Sequence, residues 1–324
     1  MKYLVSRRAA LASALMLPAL KAGHAAEWPL RTIRIVVPYA PGGSVDTTAR
    51  LVAAVMGNQL KQPVVVENRP GATGTVGAGD VARSAPDGYT LLVDAAAHAA
   101  NPALFPNLQF RYEDAFAPIG RLTISPLMLV VHPSVPARSV AEFLALAKAK
   151  PGSLSYGTPG NASAAHLAAS SMAKSAGIDI VHVAYRGGGP ATQDLLAGTV
   201  QFSFATVSTA VPLVKENRLR ALAVTTPERI APLPDLPTMS QSGFPGFDIS
   251  EWAGFYAPAG TDPAIVARLG EASRQALQDS TVRQRLKQIG SIAVGSTPEE
   301  FSPWLRNQRN AMAALIRDTG IRVE

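Results

Sequence analysis

The chain has no cysteine, which excludes disulfides, thiolate metal sites and a cysteine nucleophile together. After its first 25 residues it has no uninterrupted apolar run of the ~18 residues that a membrane-crossing helix needs. No basic run is interleaved with aromatics, so nucleic-acid binding has no footprint here. The five histidines show neither His-x-x-x-His nor acidic-partner spacing, so no metal site is expected, and His98, His132 and His166 read as packed, hydrogen-bonded side chains. The hydrolase signatures G-x-S-x-G and H-E-x-x-H are missing as well. Gly77-Ala78-Gly79-Asp80-Val81-Ala82 does match G-x-G-x-x-A, with Asp94 where a ribose-binding acid would stand. The preceding strand ends near Glu67, too early for a dinucleotide turn, so no cofactor is expected.

The first residues carry an address. Lys2, Arg7 and Arg8 precede a largely apolar stretch from Ala9 to Leu20, and Gly23 and Ala25 fit the small-residue rule for cleavage after Ala25. Residues 1–25 therefore read as an export signal and the rest as a periplasmic protein. Ser6-Arg7-Arg8 leaves the general and twin-arginine routes both open. Lys2, Arg7, Arg8 and Lys21 leave with the signal; taking those four from 30 basic residues leaves 26 against 23 acidic ones. The high isoelectric point thus belongs partly to the signal.

Strand-length apolar runs alternate with helical patterns along most of the remainder. Strands are expected at 33–37, 64–67, 90–93, 127–132, 153–156, 180–185, 200–205, 219–225 and 252–257. Helices are expected at 45–60, 140–150, 163–176, 191–197, 263–279 and 298–317. In the first helix Val45, Ala49, Val52, Met56 and Leu60 make one apolar stripe. Such alternation predicts an α/β protein with mostly parallel sheets. Domain sizes favour two lobes, 26–125 with 249–324 and 126–248, with chain crossings near 125–131 and in the proline-rich 226–248.

Each lobe opens on a strand followed by a glycine-rich turn and a helix start. The first turn is Pro38-Tyr39-Ala40-Pro41-Gly42-Gly43-Ser44-Val45-Asp46, and the second is Gly157-Thr158-Pro159-Gly160-Asn161-Ala162-Ser163. Turns of this kind aim unsatisfied backbone N–H groups, with the helix dipole, at one point, where an anion is favoured. Each also reads as a tight turn closed by a capping side chain, Ser44 or Asp46 in the first and Ser163 in the second. Gly42, Gly43 and Ser44 on one lobe and Thr158, Gly160, Asn161 and Ser163 on the other are the candidates to grip one carboxylate, with Pro41 and Pro159 in the same turns; Tyr39, Tyr185, Phe204 and Trp252 are candidates to line the cleft, Phe204 and Trp252 reading better as core. Asp46, Asp94, Arg186 and Thr206 are expected to tune the remainder; Asp46 reads equally as a cap, and Arg186 equally as half of a surface ion pair.

Together these segments resemble the tripartite tricarboxylate transporter substrate-binding receptors, the Bug or TctC family. The likeness runs through Pro38-Tyr39-Ala40-Pro41-Gly42-Gly43, Val66-Glu67-Asn68-Arg69-Pro70-Gly71-Ala72, Pro86-Asp87-Gly88-Tyr89-Thr90, Gly160-Asn161 and Tyr185-Arg186-Gly187-Gly188-Gly189-Pro190. It continues through Arg220-Ala221-Leu222-Ala223-Val224-Thr225, Leu233-Pro234-Asp235-Leu236-Pro237 and Ala257-Pro258-Ala259-Gly260-Thr261. The resemblance implies a type II periplasmic-binding-protein fold, two doubly wound α/β lobes around a hinged ligand cleft. It implies a receptor, not an enzyme, that captures a small carboxylate and delivers it to a two-part integral membrane transporter. A sensor partner docking on a membrane-kinase ectodomain is the alternative reading, and an exported enzyme a further one. Two positions depart from the family: Thr73 stands where glycine is usual, and Ala205 where many members carry an acid.

Overall fold

Ile33–Val37 forms strand β1, buried along nearly its whole length, as a strand flanked on both edges and covered on both faces must be. In the computed structural model, which describes residues 28–321, β1 pairs in parallel with β2 (Val64–Asn68) and β3 (Thr90–Asp94). The expected signal at 1–25, with its cleavage after Ala25, lies outside the described residues. Between these strands run α1 (Ser44–Leu60) and α2 (Thr75–Ala82), and α3 (Ala97–Leu104) follows β3. The α1 stripe Val45, Ala49, Val52, Met56 and Leu60 is buried throughout.

A 16-residue strand, β4 (Phe116–Val131), then carries the chain onward. After it come α4 (Val140–Ala149), β5 (Ser155–Thr158), α5 (Ala164–Ala176), β6 (Val181–Ala184), α6 (Gly188–Ala197), β7 (Phe202–Thr206), α7 (Val207–Lys215) and β8 (Arg220–Val224). The chain finishes with β9 (Ser250–Pro258), α8 (Pro263–Gln278), α9 (Ser280–Gln288), β10 (Ile292–Ala293) and α10 (Pro298–Thr319). The strand order is β2-β1-β3-β9-β4-β7-β5-β6, with β8 and β10 also on β4.

Two sets of partners divide β4. Phe116 to Pro126 pairs with β9, and Leu127 to Val131 pairs with β7 and β8. The sheet therefore has two parallel sections joined through the antiparallel β4 and β9. Beyond β8 the proline-rich stretch stays on the second section: Met239 donates to the Val224 carbonyl, and Phe247 stacks on Phe204 at 6.1 Å.

Three apolar layers hold this arrangement. Ile35, Val37, Leu91 and Phe255 pack under α1 and α8. On the opposite face Leu92, Trp252 and Tyr256 meet Phe301 of α10, and that layer continues under Leu129, Phe202 and Phe204 of the second section. Met128, Val130, Val207 and Val211 form the third. Each such side chain contributes about 1.5–3 kcal/mol by leaving water.

Several elements differ from the expectation. β4 starts at Phe116 rather than 127, because register shifts at Pro118/Gly120 and Arg121/Thr123 absorb residues that read as breakers. A Cβ on Gly120 would lie 2.4 Å from the Ser296 carbonyl, so the glycine is needed for that approach. Helices α2, α3, α7 and α9 were not expected. Of these, α2 carries the G-x-G-x-x-A run inside a helix, where Gly77 lets Pro38 and the Arg69 carbonyl come close.

Candidate functional site

The first turn is held from below. Gly42 has φ +89°, open to glycine at little cost, and Gly43 is the N-cap of α1 with no side chain capping the helix. Asp46, only 3 % exposed, accepts the Gly42 N–H at 2.9 Å, the Arg50 Nε–H at 3.1 Å and an Asn68 amide N–H at 2.8 Å. Burial alone would raise its carboxyl, but the bonds from Arg50, Gly42 and Asn68 hold it below the usual carboxylate range. Asp46 is therefore a clasp inside the turn, with both oxygens occupied, and does not tune a ligand. Pro41, Gly42 and Gly43 are exposed and Ser44 half-buried. No atom lies within 4 Å of where a Cβ on Gly43 would be, so the N-terminus of α1 looks onto open space.

Asp94 also departs from its expected role. It is fully buried and accepts the Tyr39 hydroxyl at 2.7 Å and the Ala95 N–H at 2.8 Å, while its Oδ2 meets His98 Nδ1 at 3.0 Å. A carboxylate so enclosed positions Tyr39 and does not reach a ligand. Burial and then Asp94 push the Tyr39 hydroxyl well up, so it stays protonated and donating. Burial lowers His98 despite its acidic partner, and its ring stacks on Tyr256 at 4.0 Å.

The second turn spends most of its hydroxyls on itself. Thr158, fully buried, accepts the Gly160 N–H at 3.3 Å and bonds His182 Nε2 at 2.7 Å. Ser163 is the N-cap of α5, accepting the His166 N–H at 3.3 Å and donating to the Gly160 carbonyl at 2.9 Å. Both side chains thus hold the turn. Gly160 (φ +148°) and Ala162 (φ +55°) bend it, and His166 Nδ1 accepts the Ala162 N–H at 3.1 Å. The His166 and His182 rings stack at 3.8 Å. Burial, with His182 beside it, takes His166 down to about 3, and burial takes His182 to about 4, so both are neutral near pH 7. Pro159 is exposed, and Asn161 is half-buried with an amide that bonds no other described residue.

A third loop joins the two. Gly187, after β6, has φ +132°, and a Cβ there would sit 3.4 Å from the Ala40 Cβ in the first turn. A Cβ on Gly160 would lie 3.6 Å from the Tyr185 carbonyl. The β6–α6 loop thus lies beside both turns. Arg186 in that loop is exposed and pairs with no acid among the described residues, so the surface-pair reading falls away. Thr206 ends β7 opposite Leu127 at the N-cap position of α7, its hydroxyl 2.9 Å from the Ser208 hydroxyl and 3.0 Å from that of Thr209. Ala205 is half-buried on β7 opposite Met128.

One residue escaped sequence reading. Glu251, half-buried at the start of β9, accepts the Ala96 N–H at 2.8 Å and the Trp252 N–H at 3.0 Å. Burial raises its carboxyl to about 7, with Asp94 adding and the two N–H bonds opposing. A lone acid opening an apolar strand was the available signal. A Ser-x-x-Lys spacing, Ser171 to Lys174, also occurs; it lies within α5, and Lys174 donates to the Asp318 carbonyl instead. Among the described residues no group of three or more acids and histidines could hold a metal. A concavity of about 810 Å³ beside Arg138, Leu219 and Leu236 shares no residue with either turn. Each of the two turns ends at a helix N-terminus, α1 in the first and α5 in the second.

Comparison with known proteins identifies the family. Residues 48–321 match the model of the tripartite tricarboxylate transporter family receptor, TctC. Protein BugT of Bordetella pertussis is 33% identical over 299 residues, covering 92% of each chain. MatC from Rhodopseudomonas palustris with bound malate is 34% identical with a TM-score of 0.84, covering 89% of this chain and 100% of that one. R. palustris Rpa4515 with adipate is 30% identical with a TM-score of 0.87, covering 91% and 99%. The fold is that of these binding proteins, and the family is one of solute-binding receptors, not enzymes. No helix among the described residues is long and apolar enough to cross a membrane. The chain belongs to the tripartite tricarboxylate transporter receptor family.

Proposed function

We propose that this protein is a periplasmic receptor that captures a small carboxylate between two lobes and delivers it to a two-part membrane transporter. The lobes are 26–125 with 249–324 and 126–248, hinged where β4 and β9 pass between the two sheet sections. The signal at 1–25, cut near Ala25, takes the chain to the periplasm. The observation that supports the reading is the open N-terminus of α1 at Gly43 and Ser44, in a turn whose Ala40 lies beside Gly187 of the loop that also adjoins Gly160. Malate and adipate in structural relatives support a carboxylate as the ligand class.

Magnitudes show why closure matters. A micromolar receptor needs about −8 kcal/mol. Four charge-assisted hydrogen bonds at ~2 kcal/mol each supply about 8, against an association cost of at least ~4 kcal/mol. Desolvation as the lobes close supplies the difference. Gly43→Val tests the reading. Its backbone (φ −74°, ψ 169°) accepts any residue, so the unliganded thermal transition should move by no more than ~1 kcal/mol, the capping difference. Its side chain would fill the space before α1 and abolish carboxylate binding. Binding that survives removes the first turn from the site.

A further inference from the structure

Glu251 lies where the two sheet sections meet. It pairs with Ser125 on β4, between the level of Asp94, which lies across β9 at Gly254, and the level of Thr206 at Leu127. The floor between the C-terminal end of β3 and that of β7 therefore carries a carboxylate. One oxygen, Oε1, is pinned by the N–H of Ala96 at the head of α3 and by that of Trp252. The other, Oε2, bonds no described residue, and the side chain is half-buried. No lysine, arginine or histidine among the described residues lies within ion-pair distance of it. Through Ala96, two residues on from Asp94, it neighbours the acid that accepts the Tyr39 hydroxyl of the first turn. The other acid nearby is Asp94, already closed by Tyr39, Ala95 and His98.

The site is thus polarised, with backbone N–H groups at the two turns and a carboxyl oxygen without a cation at the floor. A second carboxylate reaching that floor would meet two acids. An ammonium group would meet an unpaired oxygen and form a charge-assisted hydrogen bond. Resting on the carboxylate reading above, we infer that Glu251 determines specificity by accepting an ammonium group, so that the ligand is an amino-bearing carboxylate. Burial of the acid without a counter-ion, which raises its affinity for a proton, agrees with a place awaiting a cation.

The test is calorimetric titration of the protein and of Glu251→Gln with matched pairs: L-aspartate and succinate, L-glutamate and glutarate, 4-aminobutyrate and butyrate, 4-(aminomethyl)benzoate and 4-methylbenzoate. Glutamine keeps an acceptor for the Ala96 N–H, and a thermal melt establishes that the variant folds. The protein should bind the amino member of at least one pair roughly tenfold or more tightly, and the variant should bring that ratio close to one. Equal binding within every pair, or a preference that survives in Glu251→Gln, overturns this inference and leaves the carboxylate reading standing. The primary amides of the same acids are titrated alongside; amides that bind as tightly as their acids overturn the carboxylate reading, and silence across all pairs overturns both.

Discussion

Acid should loosen the second turn through the stacked rings of His166 and His182. These rings touch at 3.8 Å, and between them they hold the turn by His182 to Thr158 and His166 to the Ala162 N–H. Burial lowers them to about 3 and about 4, against an ordinary value near 6.5. The folded values lie below the unfolded ones, so the contribution is complete above about pH 6.5 and is lost as pH falls toward 3–4. At pH 5 each ring that stays neutral only in the folded state costs about 2 kcal/mol. His182 is partly open to water, and halving its share leaves about 3 kcal/mol for the pair. At ~2.1 cal/mol/K of unfolding entropy per residue, a chain of 324 residues should lose about 4 °C of Tm from this source between pH 7.5 and 5. The assay compares that drop with the drop in a His166→Gln, His182→Gln double variant, whose amides keep hydrogen-bonding capacity without titrating. The double variant should fall about 4 °C less, and NMR should find both wild-type rings neutral at pH 5. Equal drops, or ring titrations near 6.5, would refute the reasoning.

Three further outcomes follow from single residues. Asp46→Ala removes the acceptor of the Gly42 N–H, of the Arg50 Nε–H and of one Asn68 amide N–H; it should lower stability by ~1–3 kcal/mol in urea titration and weaken carboxylate binding at the same time. Thr73 sits at φ +55°, a left-handed conformation that costs a β-branched residue ~1 kcal/mol or more; Thr73→Gly should move the urea midpoint upward, and an unchanged or lower midpoint would contradict the strain. Gly187→Leu puts a side chain against Ala40 and should reduce affinity for any bound carboxylate at least tenfold, with small-angle scattering showing a larger radius of gyration when ligand is added than wild type has.

The strand–helix alternation was legible because burial forces it. Ile33 to Val37 must be apolar on both faces to sit inside a parallel sheet, and the Val45–Leu60 stripe must face that sheet. The first half of β4 was not legible, since Pro118, Gly120 and Pro126 read as breakers until β9 supplies the bulged register that accepts them. Helix α9 carries Arg283, Arg285 and Lys287 on so few buried positions, Val282 and Leu286, that no stripe stands out. At the site, composition located the two turns but not the direction of their side chains. Asp46, Asp94, Thr158 and Ser163 bear the right groups at the right places, yet their oxygens are spent on Gly42, Tyr39, His182 and His166. Partnerships across β1, β3 and β6 decide this, and no local pattern records them. Glu251 was missed for the same reason: its neighbour Ala96 lies 155 residues away.

The central claim is that two helix N-termini on opposite sheet sections grip one carboxylate. A thermal-shift comparison of mono-, di- and amino-carboxylates with their primary amides tests it most directly. At 100 times its dissociation constant a carboxylate should stabilise the protein by about 2.7 kcal/mol, a rise of about 4 °C, and the matched amide should give none. An amide that stabilises as much as its acid would contradict the grip.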